Sequence, residues 1–364
     1  MNNIFQIMKT GAGRYIQGVD AINIVGEELK RLGYERIGII TGNRAFLAVQ
    51  DGLLKGLENS NLHYSVNFYS GYCTVVDIVN GIDWVNKNIF DCLLGVGGGK
   101  VLDYCKAIGA QVRIPVFMLP TIAATCAAFA PLSVIYDERG CQQKILFHDD
   151  SLAGVFVDVK VIANAPSRYL AAGIADSFAK YCEYTSMLPY ASFNDMNLGR
   201  YIGASLASVS DEILFKNANK AYEANQANEV TEEFENVVTC IIGITGVVSG
   251  FGSFSKQPVS RFALAHGLNE MVRGNHIPDP TKFLHGEIVG VGILAQKRVN
   301  NQAEQSIKKM ENLFNELGLP TRLSEIDINY NDSKFDDFVN DLIVHCHIDK
   351  ENHERIYSAL QDIR

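Results

Sequence analysis

Residues 91–125 read DCLLGVGGGKVLDYCKAIGAQVRIPVFMLPTIAAT, and this stretch decides the fold. Leu93, Leu94 and Val96 form a short apolar run that stops at Gly97, Gly98 and Gly99, as a buried strand stops at a turn whose backbone must approach something closely. Val101, Tyr104, Cys105 and Ile108 then recur at helical spacing, so a helix N-terminus with unpaired N–H groups follows the glycines and suits a phosphate. A second apolar run, 115–119, ends at Pro120-Thr121. Strand, glycine turn, helix and strand make the βαβ unit of a nucleotide-binding sheet. The turn is not G-x-G-x-x-G, because Lys100 stands where the last glycine belongs, and a Walker-type loop is absent. The glycines alone therefore fit either a phosphate turn or a purely structural strand-to-helix turn.

Working outward, residues 36–40 form a buried-strand run ending at Thr41-Gly42-Asn43-Arg44, followed by a helix over 46–57. Residues 63–69 alternate as another strand and 75–88 read as a helix. Residues 132–136 and 145–146 predict a hairpin around Asp137-Glu138-Arg139-Gly140, and 154–158 a last strand. Strands alternating with helices predict a doubly wound, mainly parallel α/β sheet. After Pro166 the pattern changes: 168–186, 194–215, 230–249, 261–272, 286–300 and 303–317 are helix-length segments with no strand between them. The expected division is an α/β domain over 1–162 and an all-helical domain over 163–364.

The 364 residues are 47% hydrophobic and carry a formal charge of −9, which disfavours nucleic acid and anionic membrane surfaces as partners and favours a small-molecule ligand. The start lacks a basic, apolar leader and the eight cysteines lie singly, so a cytoplasmic protein with reduced thiols is expected, one that assembles with its own copies.

Three residues of the second half stand in small, apolar, helix-forming surroundings: Asp176 in AAGIADSFA, His266 in FALAHGL, and His285 in FLHGEIVG. One carboxylate and two imidazoles suit a divalent metal with an open position, zinc first and iron second. Each histidine also has another reading, its ring satisfying backbone groups at a buried helix end. The remaining histidines, His63, His148, His276, His345, His347 and His353, read as surface residues, and the alternate spacing of His345 and His347 turns their rings apart.

Six motifs in order, Gly97-Gly98-Gly99-Lys100-x-x-Asp103, Pro120-Thr121-x-Ala123-x-Thr125, Leu132 to Tyr136, Ala171 to Asp176, Ala265-His266 and Leu284 to Glu287, resemble the glycerol dehydrogenase branch of the iron-containing alcohol dehydrogenase family. They cover residues from about 36 to 300. The resemblance implies a dehydroquinate synthase-like fold with a dinucleotide-binding sheet and a metal held by Asp176, His266 and His285 in a cleft. It carries cofactor contacts onto Gly97, Gly98, Gly99, Lys100, Asp103, Thr121, Leu132 and Tyr136. The implied reaction is metal-dependent hydride transfer between NAD(P) and a small alcohol or polyol or its carbonyl partner. An NADP(H)-dependent reductase of small 2-oxo acids is the alternative, and a non-catalytic nucleotide-binding protein is the rival from another class.

Three departures matter. Cys126 stands in Thr125-Cys126-Ala127 where the branch resembles T-D-A, and with Phe129 it suggests a less polar substrate pocket, with Arg168 or Lys144 available to a carboxylate. Asn269 stands where the family often has a second histidine. Thr41, Gly42 and Asn43, with Arg44 beside them, supply no acidic residue to face the adenosine ribose, so NADP is expected to be tolerated beside NAD.

Overall fold

The computed structural model describes residues 10–149, 152–185, 198–252, 263–273, 275–277, 279 and 281–364. Its first half is built on strands β1 (Tyr15–Gly18), β2 (Arg36–Thr41), β3 (His63–Phe68), β4 (Cys92–Gly97), β5 (Val116–Pro120), β6 (Leu132–Tyr136), β7 (Gln142–Phe147) and β8 (Gly154–Asp158). Helices α1 (Val25–Arg31), α2 (Asn43–Asn59), α3 (Val75–Asn88), α4 (Gly99–Val112) and α5 (Val159–Ala163) connect them. Six strands form one parallel sheet in the order β1-β8-β5-β4-β2-β3, and β6 and β7 form the expected antiparallel hairpin.

Period-two alternation sorts the sheet's side chains onto two faces, both buried because crossover helices cover both. Ile37, Ile39, Leu94, Val96, Phe117 and Leu119 pack under α1 and α2. Ile40, Leu93, Met118, Val155 and Val157 join α3, α4 and the helical half in one continuous core. The chain leaves β2 for β3 on one side and returns to β4 on the other, so the order reverses between β2 and β4. Their carboxyl ends, Thr41 and Val96, are register partners. A doubly wound sheet binds its ligand in the crevice at such a reversal.

β1 is an addition to the sequence reading. Its four residues, Tyr-Ile-Gln-Gly, have no buried-strand pattern, and pairing with β8, about 140 residues away, makes them a strand. The expected boundary at 162 falls inside α5, which is capped by the buried carboxylate of Asp158 accepting the Lys160 and Val161 N–H groups.

From α5 onward every described element is helical: α6 (Ser167–Thr185), α7 (Leu198–Gln226), α8 (Glu232–Thr239), α9 (Thr245–Gly252), α10 (Leu264–Val272), α11 (His285–Val299), α12 (Glu304–Glu316), α13 (Asp332–His345) and α14 (His353–Gln361), with short 3-10 and π turns. A π turn at Cys240–Ile244 joins α8 to α9, and the run Glu232–Phe251, apolar and long enough to cross a membrane, is mostly buried in the fold. The expected helical stretches 186, 194–197 and 261–262 lie outside the described residues. All eight cysteines are free thiols. His148, expected on the surface, is instead buried, because the β6–β7 hairpin folds onto α4 and sets its Nε2 2.8 Å from Ser133 Oγ.

Candidate metal centre and nucleotide crevice

The small residues before Asp176 let backbones touch. A Cβ on Gly173 would lie 2.0 Å from the Ala123 carbonyl oxygen, so α6 rests directly on the loop that leaves β5. A Cβ on Gly286 would lie 1.8 Å from the Ala172 carbonyl oxygen, so the start of α11 is pressed onto α6. That approach carries His285, the first residue of α11, to Asp176. Its cap is Glu287, whose carboxylate accepts the Leu284 N–H at 2.7 Å. The same carboxylate holds Arg168 through bonds of 2.6 and 2.8 Å. Arg168 is therefore a tie between α6 and α11, and is not available to a substrate carboxylate as the sequence had suggested; Lys144 lies on the solvent-facing strand β7.

Asp176, His266 and His285 present one donor atom each, all within 4.8 Å of one another. Asp176 Oδ1 lies 3.3 Å from His266 Nε2 and 3.4 Å from His285 Nε2. It is buried and lacks a hydrogen-bond partner among the described residues, which is costly unless a cation supplies one. His266 Nδ1–H donates to Glu183 Oε1 at 2.7 Å, and the His266 backbone N–H donates to the same oxygen at 3.1 Å. This fixes the tautomer and aims the Nε2 lone pair into the site, the usual support of a metal-bound imidazole. Two imidazoles and a carboxylate converging on one point fit a divalent ion.

Electrostatics agree. Burial opposes the Asp176 charge, but the Lys180 ammonium and the two histidines outweigh it and hold the carboxyl well below its ordinary range. Burial would lower His266, yet the Glu183 carboxylate prevails and raises it to about 9. Burial lowers His285 despite Asp176. Lys180, one turn beyond Asp176, sets its Nζ 3.0 Å from His266 Nε2. Sequence reading missed Glu183 and Lys180. Their spacing from Asp176, seven and four residues respectively, places all three on one face of α6 and was the available signal.

The candidate nucleotide turn abuts the same loop after β5 on which α6 rests. Gly97 has φ +149°, which favours glycine, and Gly98 caps α4 with its Cα close against the Ile122 side chain. Gly99 faces Thr125 Oγ1 and the Ala127 methyl at Cβ distances of 3.5 Å, so the turn abuts the Thr125-Cys126-Ala127 loop. The Thr121 N–H donates to Gly97 O at 3.1 Å and locks the turn to that loop. Lys100 extends over the Tyr72 ring at 3.9 Å, and Tyr72 packs 5.9 Å from Tyr136. Thr41 is buried at the end of β2, Gly42 caps α2, and Asn43 and Arg44 are exposed.

Not every expected contact faces the crevice. The carboxylate of Asp103 turns inward, 2.8 Å from the buried Lys106 ammonium and accepting the Val134 N–H, so it ties α4 to β6. Lys106 also donates to the carbonyls of Ala127, Ala130 and Leu132, bracing the loop from within. The Leu132 carbonyl is thus committed to Lys106. Cys126 is buried and stays a neutral thiol, because burial pushes it up, with Ser249 Oγ 3.5 Å away. Phe129 is buried, its ring packed edge-on against Tyr15 with centroids 5.7 Å apart.

The sequence matches the family described as iron-containing alcohol dehydrogenase over residues 12–158. It is 33% identical to a glycerol dehydrogenase of Thermotoga maritima over 87% of this chain and 84% of that protein. It is 31% identical to hydroxycarboxylate dehydrogenase A of Escherichia coli over 80% and 77%. The fold superposes on the crystal structure of glycerol dehydrogenase from Schizosaccharomyces pombe with a TM-score of 0.83, 24% identity, and coverage of 99% of this chain and 90% of that one. With its crevice, its ligand triad and these likenesses together, the chain belongs to the iron-containing alcohol dehydrogenase family, in the branch that holds the glycerol dehydrogenases.

Proposed function

We propose that the protein is a metal-dependent NAD(P) oxidoreductase that exchanges hydride with a small alcohol of the polyol type or its carbonyl partner. The observation that carries this reading is the convergence of Asp176 Oδ1, His266 Nε2 and His285 Nε2 beside the loop that abuts the glycine turn. When bound, a divalent ion supplies polarisation of the substrate oxygen and the nicotinamide supplies or takes the hydride.

The chain's own groups do the rest. Asp176, His266 and His285 hold the ion, and Glu183 keeps His266 in the ligating tautomer. The N-terminus of α4 at Gly98 and Gly99 takes the pyrophosphate, with Lys100 and Thr121 at its edge. Tyr136 and the Leu132 backbone flank the crevice. The Cys126 loop, braced by Lys106, closes the apolar side of the substrate site and excludes water. At the adenosine end, Thr41, Gly42 and Asn43 leave room for a 2′-phosphate beside Arg44, so both nicotinamides bind. Two imidazoles and one carboxylate suit zinc first and iron second. The enzyme works as an assembly of its own copies in the cytoplasm.

Metal analysis of the purified protein is expected to find about one divalent ion per chain. His285→Ala is expected to lose that ion and all turnover with a panel of alcohols and carbonyls while keeping its circular dichroism. Normal turnover in that variant, or no nicotinamide-dependent turnover in the metal-loaded wild type, would sink the reading.

A further inference from the structure

We infer that Arg273, seated on Asn269, positions His285 for the metal by tying the helix that carries His266 to the backbone that delivers His285. The inference rests on the metal site proposed above and concerns what holds that site in shape.

The two imidazoles are aimed in different ways. Glu183 fixes the His266 ring through Nδ1. Among the described residues no second carboxylate holds the His285 ring, which meets Asp176 Oδ1 at 3.4 Å and lies with its centroid 5.4 Å from that of His266. His285 opens α11, so its aim depends on where the preceding backbone leaves it. That backbone is held residue by residue. Arg168 from α6 donates to the Lys282 carbonyl at 2.8 Å, Arg273 at the end of α10 donates to the Phe283 carbonyl at 2.8 Å, and the Glu287 carboxylate accepts the Leu284 N–H at 2.7 Å. Of these ties, Arg273 is the one that reaches the helix of His266. Its Nε–H donates to Asn269 Oδ1 at 2.7 Å, one turn along α10 from His266. Asn269 is 3% exposed, so the amide that receives the guanidinium is itself fixed by packing. A guanidinium only donates, hence the atom of Asn269 that faces it is the carbonyl oxygen. This gives the departure at position 269 a function: the side chain that stands where the family often has a second histidine is the seat of a latch, in place of a proton carrier. A planar guanidinium with two fixed acceptors sets distance and angle together, which a flexible ammonium does not. Opening the latch frees Phe283, two residues before His285, and supporting bonds of this kind tune metal affinity by about 10- to 100-fold.

Zinc affinity of the cofactor-free protein, measured by competition with a chelator, tests this without turnover. Arg273→Met and Asn269→Leu are each expected to weaken binding by about tenfold or more. The double variant is expected to bind no more weakly than the weaker single one, because either change opens the same latch. Asn269→Asp keeps an acceptor of the same shape and is expected to stay within about threefold of wild type, a rescue that a role in packing alone would not produce. In cobalt-loaded protein the visible absorption bands, which report ligand geometry, should shift in Asn269→Leu and match wild type in Asn269→Asp. Where Arg273→Met fails to fold, the two Asn269 variants decide by themselves. Wild-type affinity with an unchanged cobalt spectrum in Asn269→Leu overturns the latch alone, as does a loss in Asn269→Asp equal to that in Asn269→Leu. A wild type that binds no ion overturns the metal site and the latch together.

Discussion

His266 owes its orientation to Glu183, and that pairing makes metal affinity depend on pH. In the metal-free protein the carboxylate raises the imidazole to about 9, so below that pH an arriving ion must displace a proton. Apparent zinc affinity is expected to fall about tenfold for each pH unit between pH 8 and pH 6. Equilibrium dialysis against a competing chelator measures this, and an affinity flat across that range would contradict the arrangement. Cys126 governs a second outcome at this scale. A carboxylate there would offer two hydroxyl acceptors that a thiol lacks, so Cys126→Asp should raise glycerol turnover about tenfold. Steady-state kinetics on glycerol decides it, and unchanged kcat/KM would refute the assignment.

Among elements, the contact of α6 with α11 positions the metal ligands. Gly286 stands with its Cα against the Ala172 carbonyl, and both partners are backbone, so neither can rotate away. Gly286→Ala is expected to cost about 3 kcal/mol and to separate His285 from Asp176. Thermal unfolding and metal content should fall together, and a variant with wild-type metal content would show that the contact does not set the site. At the glycine turn the strain is local. Gly98→Val crowds Ile122, whose terminal methyl would lie 2.8 Å from the new Cβ, and so displaces the turn that opens α4. Cofactor affinity, read by nucleotide fluorescence, should collapse with metal content unchanged.

At the scale of the molecule, one apolar core runs from the α3–α4 face of the sheet through the helices to Ile363. Gln17 on β1 bonds the Glu235 carbonyl and Thr239, sewing the sheet edge to the helical half. Calorimetry is therefore expected to show a single unfolding transition, whereas two separated transitions would mean that the halves are energetically independent. The crevice at the β2–β4 reversal decides coenzyme choice. A Cβ on Gly42 meets only ordinary contacts, 3.6 Å from Tyr69 O, so Gly42→Asp fits and should shift preference from NADP toward NAD by repelling the 2′-phosphate. Equal preference before and after the change would count against the contact.

The alternation of strand and helix through β8, the glycine turn between β4 and α4, and the apolar settings of Asp176, His266 and His285 were all legible in the chain. They are local patterns, set by periodicity and by the scarcity of charge in apolar helices. β1 was not, because four mixed residues become a strand only when β8 offers them an edge. Nor were the partners of Arg168 and Asp103. Each side chain could serve a ligand or the fold, and the choice was made by Glu287 on α11 and by the Val134 N–H on β6, which lie far away in sequence. The pairing of Lys180 with His266, 86 residues apart, is of the same kind: residue type makes a cation available, and only the packing of α6 against α10 decides that it faces the metal ligands.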